Sequence, residues 1–228
     1  MILSSPYDRD ILDLAVPALA GLAAGPLVSL VDTAFVGQLG RVPLGALGVN
    51  TSIFSMTFVV FNFLAYGTTP RVGRAVGNDD REEAGRAVVR ALVLAMAVGI
   101  VALAALQALA RPILIVMGAS EELMAPALSY LRIRALAGPA VLLITASHGA
   151  FRGYQDTRTP MVVTLGFNVV NAGLDPVLIF VFDWGLAGAA AATTIGQWMG
   201  APTFPVLLLK APRKEPGIEP QLPGLRRL

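Results

Sequence analysis

Residues 42–70 read VPLGALGVNTSIFSMTFVVFNFLAYGTTP and contain no charged side chain. A helix needs roughly 20 mostly apolar residues to cross the hydrocarbon core of a bilayer, so this stretch is long enough to span a membrane. Residues 184–209 form a second charge-free stretch of similar length. The two stretches indicate that lipid, rather than water, surrounds much of the chain.

The composition of the whole chain agrees with a membrane protein. Of its 228 residues, 55% are hydrophobic and 14% are charged, and the mean hydropathy is +0.69, which is outside the usual balance of a soluble domain. The length accommodates about six spans with short loops and leaves no room for a soluble enzyme domain. We therefore predict an all-α integral membrane bundle of six transmembrane helices.

Six apolar segments can be assigned as spans. They are residues 11–36, 46–69, 87–109, 123–149, 160–182 and 185–209. The first lacks a basic region, a short apolar core and a small-residue cleavage site, so we expect a retained helix rather than a signal peptide. Residues 1–210 are predicted to form one transmembrane lobe. Residues 211–228 are rich in proline and charge and are predicted to be a flexible cytoplasmic tail.

Several kinds of chemistry are not expected from this sequence. It has no cysteine and a single histidine, His148, so it cannot build a disulfide framework, an iron–sulfur cluster, a thiolate zinc site or a histidine cluster. It has no phosphate-binding loop of the G-x-x-x-x-G-K-[ST] type, so any active transport must draw on an ion gradient or a partner. We expect neither an enzyme nor an organic cofactor.

The basic residues predict the orientation in the membrane. Positively charged short loops are retained on the cytoplasmic side, and thirteen basic residues fall on one side of a six-span chain: Arg9, Arg71, Arg74, Arg81, Arg86, Arg90, Arg152, Arg158, Lys210, Arg213, Lys214, Arg226 and Arg227. Only Arg41 and Arg111 lie in loops on the other side, whereas Arg132 and Arg134 fall inside the fourth segment, towards its outer end. We predict a plasma-membrane protein with both termini in the cytoplasm. The same topological role explains the high pI without a nucleic-acid partner.

Two acidic residues, Asp32 and Asp175, lie inside predicted spans. An ionised carboxylate in a bilayer is costly unless it faces a cavity or a partner, so such acids are functional candidates by default. In the fifth segment Thr164, Asn168, Asn171 and Asp175 are spaced four, three and four, which places them on one stripe of an α-helix. That helix is therefore predicted to have one polar face.

Further oxygen ligands are predicted to lie near these acids. Pro176 frees a backbone carbonyl one turn before it, and Thr193 and Gln197 lie four apart in the sixth segment. Asp32, Asp175 and Thr193 all fall within about 6 to 12 Å of the outer end of their segments. They can share one pocket, whose hard oxygens suit a proton or a small cation.

A structural role is the alternative interpretation of these polar residues. Asn168, Thr164 and Gln197 can simply bond across helices and hold the bundle together. The same explanation fits the two aspartates poorly, because burying an acid is an inefficient way to stabilise a bundle. His148 is equally compatible with a polar core position and with a cavity. Asn168, His148, Gln197 and Thr164 are thus candidates for a substrate cavity.

Three stretches of the chain resemble the multidrug and toxic compound extrusion (MATE) transporters, and most closely their DinF-like subgroup. They are PLVSLVDTAFVGQLG at 26–40, YLRIRA at 130–135 and FRGYQDTRTP at 151–160. The resemblance implies an antiporter that exports organic, often cationic compounds in exchange for sodium ions or protons. It also implies a cation or proton site at Asp32, Asn171, Asp175 and Thr193. His148 stands where several relatives have an asparagine.

The resemblance covers only the amino-terminal six-helix lobe of a family with twelve helices in two lobes. This implies a truncated or split transporter, a fragment that pairs with a separate second lobe, or a half-transporter that forms a homodimer. A non-transporting membrane subunit is a further alternative. So is a lipid-precursor flippase of the same superfamily, which would need a cationic cavity, whereas the inward polar residues are predicted to be acidic or neutral. For a transporter, we expect cation binding at the acids to change the bending of the first helix near Gly25, Pro26 and Gly37.

Overall fold

A computed structural model describes residues 8–210, apart from some side chains near the two ends of that range. These residues form eight α-helices and one π-helical turn, with no strand among them. The helices are α1 (Asp8–Gly37), α2 (Arg41–Val60), α3 (Phe63–Gly77), α4 (Arg81–Val116), α5 (Glu121–Ala135), α6 (Gly138–Gly153), α7 (Arg158–Pro176) and α8 (Gly185–Lys210), and the π-helical turn Val177–Val181 follows α7. The predicted tail lies outside the described residues.

The described helices follow the six predicted segments in order along the chain. Three of the segments contain one interruption each. They consist of α2 with α3, of α5 with α6, and of α7 with the π-helical turn. The prediction of an all-α bundle is confirmed, and the fourth predicted segment contains a break between α5 and α6. Pro139 supplies no backbone donor and clashes with the carbonyl four residues before it, and α5 and α6 are bent by 49° at this point.

Three helical stretches of the described residues are long and apolar enough to cross a membrane. They are Arg41–Gly77, Arg81–Val116 and Arg158–Val181, and the bent pair α5 and α6 makes a fourth if it counts as one crossing. The charge-free segment at 184–209 forms α8 but is not in this set. The many alanine, glycine and threonine residues of α8 are less apolar than the leucine and valine residues of the other predicted segments. The boundaries of the membrane-embedded parts stay predictions.

Glycines let the helices of the bundle approach closely. A Cβ atom at Gly99 of α4 would lie 2.5 Å from Cα of Pro139, and one at Gly149 of α6 would lie 2.8 Å from the carbonyl oxygen of Ala65 in α3. Small residues of this kind allow backbone contact between helices in lipid, where packing replaces the hydrophobic effect. α6 is therefore the central element against which α3 and α4 pack.

Glycines of α8 likewise bring this helix against α7 and the π-helical turn. A Cβ atom at Gly188 would lie 2.6 Å from the carbonyl oxygen of Leu178, and one at Gly196 would lie 3.0 Å from that of Phe167 and 3.3 Å from Cβ of Asn171. Because these glycines lie on either side of Thr193, the close approach fixes the threonine beside the polar stripe of α7.

Asn50 ties α2 to α5 through a buried polar contact. Its Nδ2 donates to the carbonyl oxygens of Ala46, at 2.9 Å, and of Ala127, at 3.1 Å, and its side chain is fully buried. We expect Asn50→Ala to destabilise the protein by about 1 kcal/mol, because it removes the interhelical bond and leaves a small void. Thermal unfolding in detergent measures the change. Ser52→Ala, which removes only a bond within α2, should leave the unfolding temperature nearly unchanged, and equal effects of the two variants would contradict the assignment.

Candidate cation site

Asp32 of α1 and Asp175 of α7 meet in the interior of the bundle. Their side chains lie close enough to interact directly, and they are 9% and 0% exposed. Two carboxylates can hydrogen-bond to each other only if one of them holds a proton. Among the described residues, no donor reaches Oδ1 of Asp32 or either carboxyl oxygen of Asp175. The pair therefore offers buried acid oxygens that a proton or a cation can satisfy.

Asn171 and Thr193 complete this group of oxygens. Asn171 donates from Nδ2 to Oγ1 of Thr193 at 3.3 Å, and Thr193 donates to the carbonyl oxygen of Ala189 at 3.0 Å. The amide oxygen of Asn171 is buried and accepts no bond from the described residues. Thr193 also lies beside Asp32. The structure thus brings together the four residues that the sequence assigned to one cation site.

A cavity of about 460 Å³ opens beside the acid pair. Asp32 and Thr193 line it together with Asn168 and Gln197, whereas Asn171 and Asp175 do not. Its apolar wall includes Val28, Phe54, Phe58 and Val59. Since Asp32 takes part in both the acid pair and the cavity lining, occupation of one can affect the other.

The structure places the other two cavity candidates elsewhere. Oγ1 of Thr164 and Nε2 of His148 lie 3.3 Å apart, and the imidazole ring packs against the ring of Phe204 with centroids 5.1 Å apart. Neither residue lines the cavity. Thr164 does share the buried stripe of α7 with Asn171 and Asp175, so the helical spacing holds, but its contact is with α6.

Arg134 of α5 lines the cavity, although it was not among the predicted site residues. Its Nη1 donates to Oε1 of Gln197 at 2.9 Å, its guanidinium lies 5.4 Å from the ring centroid of Phe54, and it lines the cavity together with Tyr130. The interpretation that inward polar residues are only acidic or neutral is therefore wrong. The signal was present, because Tyr130 and Arg134 are four apart in an apolar segment where an arginine is costly.

The fold and this site define a helical membrane protein with ionisable groups in the interior of its bundle. The MatE family model matches residues 17–177, and the chain belongs to this family, whose members are transporters rather than enzymes. It is 40% identical over 202 residues to Protein DETOXIFICATION 44, chloroplastic, of Arabidopsis thaliana, covering 83% of this chain and 39% of the relative. It is 34% identical to DNA damage-inducible protein F of Escherichia coli, covering 84% of this chain and 42% of the relative.

Solved structures share the fold. A MATE protein crystallised in the bent conformation matches with a TM-score of 0.84 and 25% identity, over 92% of this chain and 47% of that one. A transporter of the MOP superfamily from Pyrococcus furiosus matches with a TM-score of 0.82 and 25% identity, over 90% of this chain and 45% of that one. The reverse polarity of that transporter's binding pocket suggests a different function for it. The chain thus spans one lobe of a multi-pass membrane protein, and less than half the length of these relatives.

Proposed function

We propose that this chain is one lobe of a secondary active transporter that exports organic, often cationic compounds in exchange for sodium ions or protons. The acid pair carries the proposal. Asp32 and Asp175 lie together in the bundle, and three of their four carboxyl oxygens have no donor among the described residues. Such an arrangement is too costly to serve as packing alone, and it suits a site that is filled and emptied by a cation.

Each residue of the site has a distinct role in this proposal. Asp32 and Asp175 hold the coupling cation, with the amide oxygen of Asn171 and the hydroxyl of Thr193 as neutral ligands. Asn168 and Gln197 bind substrate in the adjacent cavity. Since Asp32 borders both regions, a cation bound to it weakens the attraction of the cavity for a positively charged substrate, and this competition couples the two fluxes.

Movement of α1 is the proposed response to cation binding. α1 contains two internal prolines, Pro17 and Pro26, each of which interrupts the backbone hydrogen bonding of the helix. Gly25 and Gly37 have open space where a side chain would be. A bend at these residues would shift Asp32 relative to α7 and change access to the cavity.

A second lobe is proposed to close the cavity. Val59, which lines the cavity, is 66% exposed in the single lobe, and Met56 of the same helix is 67% exposed. They can be covered by a separate carboxy-terminal lobe or by a second copy of this chain. We further propose a plasma-membrane location with both termini in the cytoplasm, although the names of some relatives place them in chloroplasts.

Gradient-driven transport by the purified chain tests this function. In proteoliposomes, we expect an inward sodium or proton gradient to drive a fluorescent cationic dye out of the vesicles. This dye movement should stop when an ionophore collapses the gradient. Imposing the two gradients separately identifies the coupling ion. Absence of transport from folded protein would instead support the second candidate function, a lobe that works only after binding its partner. Adding a carboxy-terminal lobe from a relative then tests that candidate.

A further inference from the structure

We propose that Thr194 and Trp198 of α8 are positioning residues, which hold the last turn of α5 by its backbone carbonyls and so place Arg134 in the cavity. The inference rests on the proposed function, because that function assigns the cavity to substrate. Neither Thr194 nor Trp198 lines the cavity, so their effect on it passes through α5.

The break after α5 leaves backbone carbonyls without their regular helical donors. α5 ends at Ala135, in the middle of the fourth predicted segment. The amide of Leu136 donates to the carbonyl oxygen of Ile133 at 3.2 Å, rather than to that of Arg132, four residues before it. The carbonyl of Ala135 has no amide four residues further on, because that residue is Pro139. A carbonyl oxygen in apolar surroundings is costly unless another group donates to it.

Side chains of α8 and α4 supply donors to this end of α5. Oγ1 of Thr194 donates to the carbonyl oxygen of Ile133 at 3.2 Å, and Nε1 of Trp198 donates to that of Leu136 at 3.0 Å. Nε2 of Gln107 in α4 donates to the carbonyl just before that of Ile133, at 2.9 Å. Two other helices therefore hold the end of α5, and α8 makes two of these three bonds.

One face of α8 makes its contacts with α5. Thr194, Gln197 and Trp198 follow a spacing of three and one residues, which places them together on a helix. Gln197 accepts a hydrogen bond from Nη1 of Arg134 at 2.9 Å, and Arg134 belongs to the turn of α5 whose carbonyls Thr194 and Trp198 hold. Because this turn carries the guanidinium, a shift of the turn moves the guanidinium within the cavity.

The other side of the break is fixed by close packing. A Cβ atom at Gly99 of α4 would lie 2.5 Å from Cα of Pro139, so α4 holds the start of α6 in place. Further back along α5, Asn50 of α2 donates to the carbonyl oxygen of Ala127, about two turns before Arg134. Loss of the α8 bonds therefore releases the last turn of α5 while both of its flanks stay attached.

Binding of the fluorescent cation ethidium to the full chain in lipid nanodiscs, followed by anisotropy, tests the inference. Arg134→Gln removes a positive charge from the cavity lining, and we expect it to tighten ethidium binding. Thr194→Val and Trp198→Phe each remove one donor to α5 and should change the Kd by about threefold, because the guanidinium is no longer held in place. In a chain that already carries Arg134→Gln, the same two substitutions should leave the Kd nearly unchanged.

Matched controls separate the lost donors from the altered side chains. Thr194→Ser keeps the hydroxyl group and should bind ethidium as the wild-type chain does. Thr203→Val removes only a bond within α8, and Trp184→Phe changes an exposed tryptophan just before α8 begins. Both should also keep the wild-type Kd.

Two outcomes would overturn the inference. One is an equal change of the Kd with and without Arg134, which is the signature of a merely structural role for Thr194 and Trp198. The other is a wild-type Kd in folded Thr194→Val and Trp198→Phe. Changes that depend on Arg134, in a chain without gradient-driven transport, would leave this inference standing and remove the proposed function. Transport together with changes that do not depend on Arg134 would do the opposite.

Discussion

The double substitution Asp32→Asn and Asp175→Asn is expected to reduce gradient-driven dye transport to the level of protein-free liposomes. Asparagine keeps the size and the polarity of each side chain but removes the negative charge that would bind a proton or a sodium ion. Asp32 is the one acid among the residues that line the cavity, so no other carboxylate of that lining can replace the lost charge. The initial rate of dye movement under an imposed gradient measures the effect.

The matched control for this result is Asp183→Asn. Asp183 is exposed in the turn between α7 and α8 and has a positive φ of 55°, a conformation that asparagine also adopts readily. It should transport at the wild-type rate. Transport by the double variant at the same rate as this control, with both proteins folded, would exclude the acid pair as the coupling site.

The substitution Gly99→Ala is expected to destabilise the lobe by about 1–3 kcal/mol, the usual range for overpacking. Its Cβ atom would lie 2.5 Å from Cα and 3.1 Å from N of Pro139. These are backbone atoms that cannot move aside without displacing α6 from α4. The temperature of unfolding in detergent, compared with that of the wild-type chain, measures the loss.

Gly166→Ala provides the corresponding control on α7. Gly166 is exposed, and a Cβ atom there would have no neighbour within 4 Å. Because glycine is less favourable than alanine inside a helix, this variant should be as stable as the wild type or more stable by about 0.5–1 kcal/mol. If Gly99→Ala shifted the unfolding temperature no more than Gly166→Ala, the close contact of α4 with α6 would not contribute to stability.

The polar stripe of α7 could be predicted from residue spacing alone. Spacings of three and four residues placed Thr164, Asn171 and Asp175 on one face of α7, and all three are buried. Asn168 lies on the same stripe and reaches the cavity. Local helical geometry is determined by the chain itself, so these relations follow from residue numbers alone.

The all-helical membrane fold and the identity of the two buried acids follow from the sequence alone. Long apolar segments leave helices as the only way to satisfy the backbone in lipid, and an acid within such a segment stands out because it is costly. The break between α5 and α6 also has a signal in the sequence, at Gly138 and Pro139, although it was not predicted.

Which side chains share the cavity depends on how the helices pack in three dimensions. Thr164 and His148 turned towards each other and away from it, whereas Arg134 turned into it and bonded to Gln197 across α5 and α8. These pairings join residues 16 and 63 positions apart. They depend on how closely glycines let the helices approach and on the angle at which α5 meets α6, and no helical period encodes either quantity.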